Sequence, residues 1–174
     1  MAAVLPQVEI IPAKREQQPI LANLLQLYIH DFTEFVDLDA APDGRFSYPH
    51  LPRYWNDPHH HPFLVKANGK LAGFVLVRKE SGSPPFWDMG EFFILRKYRR
   101  QGIGTHVAYE VWKLLPGPWQ VRVITSNTPA HHFWSRAISG LTGEPVHPAR
   151  VDEGGTSWHV FSFKSKPGAP PSRS

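Results

Sequence analysis

Residues 96–104, Arg-Lys-Tyr-Arg-Arg-Gln-Gly-Ile-Gly, set four cations beside two glycines and lead into an apolar stripe at Ile103, Val107, Val111 and Leu115. The stripe has helical spacing, so the glycines stand where a helix begins. Backbone N–H groups at a helix start lack intrahelical partners and carry the positive end of the helix dipole. Glycine lets an anion approach that backbone with no Cβ between them, and it permits positive φ. Arginines around the turn add charge-assisted hydrogen bonds. The anion that suits such a turn is a diphosphate. A dinucleotide fold would place a third glycine where Val107 stands, and an acid roughly 20 residues further on. A P-loop would need Gly-Lys-Ser/Thr, which is not here. A solvated basic turn that merely caps a helix is the plain alternative. The formal net charge of +4 invites a nucleic-acid reading, but the charge gathers in this turn instead of running along an element. A small local anion is expected, and no nucleic acid.

The elements that must hold this turn can be read from periodicity. Residues 8–11 form a short strand closed by Pro12, and 17–30 a helix with Pro19 in its first turn. Residues 30–62 are rich in aromatics, prolines and acids, with a short helix expected at 31–36 and a helical turn near 49–55. Seven Phe, Tyr and Trp residues from Phe32 to Phe63 argue that this long segment packs onto something. Phe63–Lys66 and Leu71–Arg78 flank Asn68-Gly69, a hairpin signal. Further strands are expected at 86–97, 119–125 and 157–164, and helices from Ile103 and over 128–138. The order implies an α+β domain with crossover helices after the fourth and fifth strands. One domain over 1–165 and a disordered tail at 166–174 are expected. The absence of cysteine excludes thiolate chemistry and disulfides. No signal peptide is evident, and no apolar run reaches the roughly 18–20 residues of a membrane span. A cytoplasmic protein with no membrane partner follows as the expectation.

Arg99-Arg100-Gln101-Gly102-Ile103-Gly104 resembles the Arg/Gln-x-x-Gly-x-Gly/Ala signature of the GNAT superfamily of acetyl-CoA-dependent acyltransferases. Asn127-Thr128-Pro129-Ala130-His131-His132-Phe133-Trp134 resembles a second signature of that family, Asn-x-x-Ala-x-x-Phe/Leu-Tyr. The resemblance covers roughly residues 6–165, with 30–62 more particular to a subgroup. It implies a GNAT-like α+β fold. The central sheet would be mixed and mostly antiparallel, with about six to seven strands and a V-shaped splay between the fourth and fifth. It also implies acetyl-CoA as co-substrate. Main-chain groups of Phe93, Ile94 and Leu95 would pair with the pantetheine arm, a backbone N–H at Ile94 or Leu95 holding the oxyanion. Arg99, Arg100, Gln101, Gly102, Ile103, Gly104 and Thr105 would cradle the pyrophosphate. Asn127 would hydrogen-bond the pantetheine, and Phe133 and Trp134 would flank it. The family often has Tyr at the position of Trp134 as general acid. An indole cannot release a proton at working pH, so Ser126, Ser135 or Tyr98 stand as substitutes, or no acid is needed.

Amine acylation needs a base, because only the neutral amine attacks. Glu91, an acid inside the apolar run 86–97, is the leading candidate, with burial among Phe86, Trp87, Phe92 and Phe93 expected to raise its pKa. Its plain alternative is an ion pair with an arginine such as Arg122. Glu34 is the second catalytic candidate. Asp31, Glu34, Asp37, Asp39 and Asp43 alternate with Phe32, Phe35 and Val36, a pattern suited to a cationic amine. Phe32, Glu34, Phe35 and Asp37 are therefore the expected acceptor residues. His59, His60 and His61, with His50, lack the spacing of a metal site, and none is expected. The reading is an N-acetyltransferase for a small-molecule primary amine, working by direct attack in a ternary complex. It leaves room for a homodimer. A non-catalytic acetyl-CoA-binding module and a protein N-acetyltransferase are the alternatives.

Overall fold

Seven strands form one sheet in the order β1-β2-β3-β4-β5-β7-β6 in the computed structural model, which describes residues 6–168. The outermost five residues at the start, and 169–174 of the expected tail, lie outside the described residues. In chain order the elements are β1 (Val8–Pro12), α1 (Gln18–Phe32), α2 (Arg53–Asn56), β2 (His60–Ala67), β3 (Lys70–Glu80), β4 (Phe86–Ile94), α3 (Ile103–Leu114), β5 (Gly117–Ile124), α4 (Thr128–Thr142), β6 (Ala149–Glu153) and β7 (Thr156–Ser165). The chain divides into two compact units, Met1–Arg78 with Met89–Ile103 and Lys79–Asp88 with Gly104–Ser174.

In the first unit β1 pairs antiparallel with β2, and β2 with β3. Asn68 and Gly69 take φ of 49° and 72°, the left-handed pair that a two-residue hairpin turn demands. α1 starts with a proline in its first turn and buries Leu21, Leu24, Leu25 and Ile29 at three- and four-residue spacing. Leu21, Leu24 and Leu25 pack in one cluster with Leu64, Phe74, Leu76, Tyr54 and Phe93. Each such side chain contributes roughly 1.5–3 kcal/mol when fully buried. β3 and β4 run antiparallel, since Gly73 lies against Phe93 and Gly90 against Leu76. A Cβ on Gly73 would land on the Phe93 carbonyl, so the two backbones meet there only because the residue is glycine.

In the second unit β5 pairs antiparallel with β7 over eight residue pairs, and β7 with β6. β4 meets β5 in parallel through Trp87↔Trp119 and Asp88↔Gln120, a much shorter ladder. Trp112 on α3 is fully buried, 6.1 Å from the Trp134 ring of α4 and 4.9 Å from the Phe163 ring of β7.

Several expectations change. The helix expected at 31–36 is instead the end of α1 followed by a turn, in which Thr33 N–H bonds the Ile29 carbonyl and Phe35 N–H the Phe32 carbonyl. β4 stops at Ile94, and Arg96–Tyr98 form one 3-10 turn. His60 and His61 lie on β2 instead of in a loop. β6 was not anticipated: all five of its residues are exposed, so it has no alternating apolar face to betray it.

Candidate active site

The basic turn joins the end of β4 to α3. Arg100 has φ of 59° and Gly102 φ of 77°, with Gln101 between them on the ordinary side. Alternation of left- and right-handed residues turns successive N–H groups toward one concave side, the backbone nest that binds anions. For arginine that φ costs energy that glycine would not incur, so the turn is a specified shape. Gln101 Nε2 donates to the Lys97 carbonyl at 2.8 Å and ties the turn to the preceding 3-10 turn. Arg100, Gln101 and Gly102 are exposed, Gly104 and Thr105 half-buried, and Ile103 buried.

Arg99 is committed differently. Its Nε donates to the Ile94 carbonyl at 2.6 Å and its Nη2 to Asp31 Oδ2 at 2.7 Å. Its guanidinium also lies 5.4 Å from the Phe93 ring centre. Arg96 Nη2 donates to Asp31 Oδ1 at 2.6 Å. Partial burial raises the Asp31 pKa, but the bonds from Arg99 and Arg96 outweigh it and hold the carboxyl below its usual range.

Of the three residues expected to present main chain to a ligand, the structure separates one from the other two. Leu95 N–H donates to the Ala72 carbonyl of β3 at 2.8 Å, and the Phe93 carbonyl sits against Gly73 of the same strand. Strand alternation then turns the N–H and carbonyl of Ile94 to the opposite edge of β4. The oxyanion donor expected at Ile94 or Leu95 is therefore best sought at Ile94.

Glu91 is half-buried on β4 and accepts a hydrogen bond from the Tyr48 hydroxyl at 3.1 Å. The buried Tyr28 hydroxyl lies near enough to feel the Glu91 charge. Burial, then the Glu91 charge, pushes the Tyr28 and Tyr48 hydroxyls far above the usual phenol range, so both remain protonated donors at any working pH. Tyr28 comes from α1 and Tyr48 from the aromatic-rich segment. That segment does pack onto the site side of β4. Arg122, the partner considered for Glu91, instead pairs with Glu153 at 2.6 Å and lies over Trp158 at 5.0 Å. Glu34 and Asp37 are exposed on the chain after α1. Phe32 stacks on Tyr28 at 5.9 Å, and Phe35 meets Phe32 edge-on at 6.4 Å, so both phenylalanines extend the Tyr28 side of the Glu91 surroundings.

In the second unit Asn127 caps α4, its Oδ1 accepting from Ala130 N–H at 3.0 Å. The amide carries two N–H donors besides. Trp134 is only 6% exposed and packs against Trp112, and Phe133 is half-buried beside it at 4.8 Å. His131 faces His159 and Phe161 of β7 at 4.7 and 5.5 Å. Among the described residues no cluster of three His, Asp or Glu is placed to hold a metal ion, and no helix is long and apolar enough to cross a membrane.

A mixed sheet with β4 parallel to β5, and a glycine-bearing basic turn opening the helix between them, define the class. The chain belongs to the acetyltransferase (GNAT) family, whose model matches residues 21–138, and is an N-acetyltransferase. No curated protein sequence matches it. Among solved structures it is similar to an acetyltransferase from Thermus thermophilus, with a TM-score of 0.64 and 14% identity over 92% of this chain and 98% of that one. It is similar to the aminoglycoside acetyltransferase AAC(6')-Ib in complex with coenzyme A, with a TM-score of 0.66 and 12% identity over 91% and 95% of the two chains. A third likeness is to the spermidine N-acetyltransferase from Vibrio cholerae in complex with CoA and spermine, with a TM-score of 0.60 and 14% identity over 91% and 96%.

Tyr28, Tyr48 and Asp31 are the site residues that sequence reading did not assign. For Tyr28 a signal existed: it lies on the apolar stripe of α1 yet carries a hydroxyl that needs a partner once buried.

Proposed function

We propose that the protein transfers the acetyl group of acetyl-CoA to a primary amine of a small molecule, such as an amino acid, a polyamine-like compound or an antibiotic amine, by direct attack in a ternary complex. The observation that carries this reading is the succession along one strand of a tyrosine-held carboxylate at Glu91, an edge N–H at Ile94 and the left-handed basic turn at Arg100–Gly102. Glu91 and Ile94 are three residues apart, about 10 Å of extended chain, enough for an acceptor amine between a base and a thioester carbonyl. The spermidine and aminoglycoside acetyltransferases among its structural neighbours support a small cationic amine as the acceptor class.

The diphosphate of the co-substrate lies on the N–H groups of the turn, with Arg100 beside it, and the pantetheine arm runs along the edge of β4 that faces away from β3. Glu91 takes the proton of the ammonium, directly or through water. The amine nitrogen then attacks the thioester carbonyl, and the Ile94 N–H donates to the oxygen as it gains charge. Collapse breaks the C–S bond; the proton that the attacking nitrogen still carries passes to the departing sulfur or to water, leaving the neutral amide and free coenzyme A. Trp134 can supply no proton to that sulfur. No covalent enzyme intermediate is required.

The test is release of coenzyme A thiol from acetyl-CoA with spermidine, an aminoglycoside and a set of amino acids as acceptors. Acceptor-dependent release that Glu91→Gln abolishes is expected. The buried Trp134 favours one other reading, a non-catalytic module that binds acetyl-CoA. Tight acetyl-CoA binding without thiol release for any amine would establish that reading in place of this one.

A further inference from the structure

The arginines of the basic turn do different work. Both oxygens of Asp31 are engaged by Arg96 and Arg99, at 2.6 and 2.7 Å. Asp31 belongs to the last turn of α1 and immediately precedes Phe32–Asp37, the segment expected to meet the acceptor. These pairs are poor sources of stability. Arg96 is 73% and Arg99 41% exposed, and pairs of that kind contribute about 0–1 kcal/mol each. What they fix is position. A guanidinium is a rigid planar fork, so fixing its Nη2 on Asp31 also fixes the direction of its Nε. That Nε lies on the Ile94 carbonyl.

The consequence falls on the edge of β4 that faces away from β3. Ile94 would otherwise offer a ligand both a carbonyl acceptor and an N–H donor. The Ile94 carbonyl already accepts from Arg99 and keeps one lone pair, so the N–H is the Ile94 group left wholly to an extended arm lying along β4. Edge positions recur every two residues, so an arm bonded in the wrong register would be displaced by about 7 Å.

We propose that Asp31 is a positioning residue for the transferase reaction. Its two carboxylate oxygens hold Arg96 and Arg99, which keeps Arg99 on the Ile94 carbonyl and reserves the Ile94 N–H for the thioester oxygen. The diphosphate is left to Arg100 and the backbone of the turn. This inference rests on the acetyl-CoA reading above and goes beyond it by dividing the turn's arginines into one phosphate partner and two structural clamps.

Steady-state kinetics with acetyl-CoA as the varied substrate separate these roles. Asp31→Asn should lower kcat about tenfold while KM for acetyl-CoA stays within about threefold, because geometry at the reacting carbonyl is lost and the phosphate site is not. Arg100→Ala should do the reverse, raising KM about tenfold at little cost in kcat, as expected for one charge-assisted contact. Arg99→Lys keeps the charge but loses the fork, and should match Asp31→Asn. The Asp31→Asn/Arg99→Lys double variant should then be no worse than either single change. Losses that multiply in the double variant would overturn the proposal. So would a KM rise in Asp31→Asn with kcat unchanged, which would make the clamped arginines phosphate ligands. A fall in KM would overturn it too, showing that Asp31 competes with the diphosphate. Wild-type protein without acetyl-CoA-dependent turnover would overturn the functional reading itself, before any variant is compared.

Discussion

Two carboxylates in the first unit are held by donors that differ in kind. Glu91 accepts from the neutral Tyr48 hydroxyl, with buried Tyr28 near its charge, within a half-buried stretch of β4. Asp31 is met by two guanidinium groups at the end of α1 and is 22% exposed. Two positive charges hold Asp31 ionised below the usual carboxylate range, so it cannot accept a proton at working pH and serves as an anchor. A phenol brings direction through a neutral hydroxyl. Such a donor orients the Glu91 carboxylate. Proximity to the basic turn therefore does not make a base; on the proposed reading the chemistry falls to Glu91 and the geometry to Asp31.

The largest effect should follow removal of the proton acceptor. Glu91→Gln should lower kcat for thiol release about 10²–10⁴-fold, the usual worth of a general base, with the acetyl-CoA dissociation constant nearly unchanged. A variant that keeps wild-type turnover would erase the distinction between the two carboxylates. Tyr48→Phe should act more gently and in a diagnostic direction. Losing a donor to the ionised carboxylate disfavours that form and raises the pKa of the base. The acid limb of the kcat/KM profile should therefore move to higher pH. Tyr54, on α2, and Arg78, on β3, also act on Tyr48 and should be left unchanged in this comparison. A profile that falls without shifting would make Tyr48 a packing residue only. The smallest effect concerns stability. The Asp31 pKa is depressed in the fold, so its contribution is present above the unfolded value of about 3.9 and is lost as pH falls through the folded one. Asp31→Asn should melt slightly earlier than wild type at pH 7, by less than about 1 kcal/mol, and the two curves should converge in acid. A gap that persists in acid would point to packing instead of charge.

Much of this was readable in the chain because the signals are local. Asn68-Gly69 announces its hairpin, the Ile103–Val107–Val111 stripe its helix, and the glycines their turn. Glu91 stood out as an acid in an apolar run. What was hidden is long-range. Tyr48 reaches Glu91 from 43 residues away, and Asp31 reaches Arg96 and Arg99 from 65 and 68 residues away. Nothing in the spacing of those residues encodes the meeting; it follows from how α1 and the aromatic-rich segment pack on β3 and β4. The commitment of Leu95 N–H to Ala72 depends on strand register, which periodicity does not supply. β6 escaped notice for a simpler reason, that none of its side chains is buried.

Thermal melting with and without acetyl-CoA, for wild type and for Gly104→Trp, tests the central claim most directly. Acetyl-CoA at about 100 times its dissociation constant should stabilise wild type by roughly 2.7 kcal/mol, a rise of a few degrees for a chain of this size. Gly104→Trp fills the start of α3 with an indole and should fold but show no rise. An unchanged melting temperature for wild type at saturating acetyl-CoA would contradict the assignment of the turn as its diphosphate site.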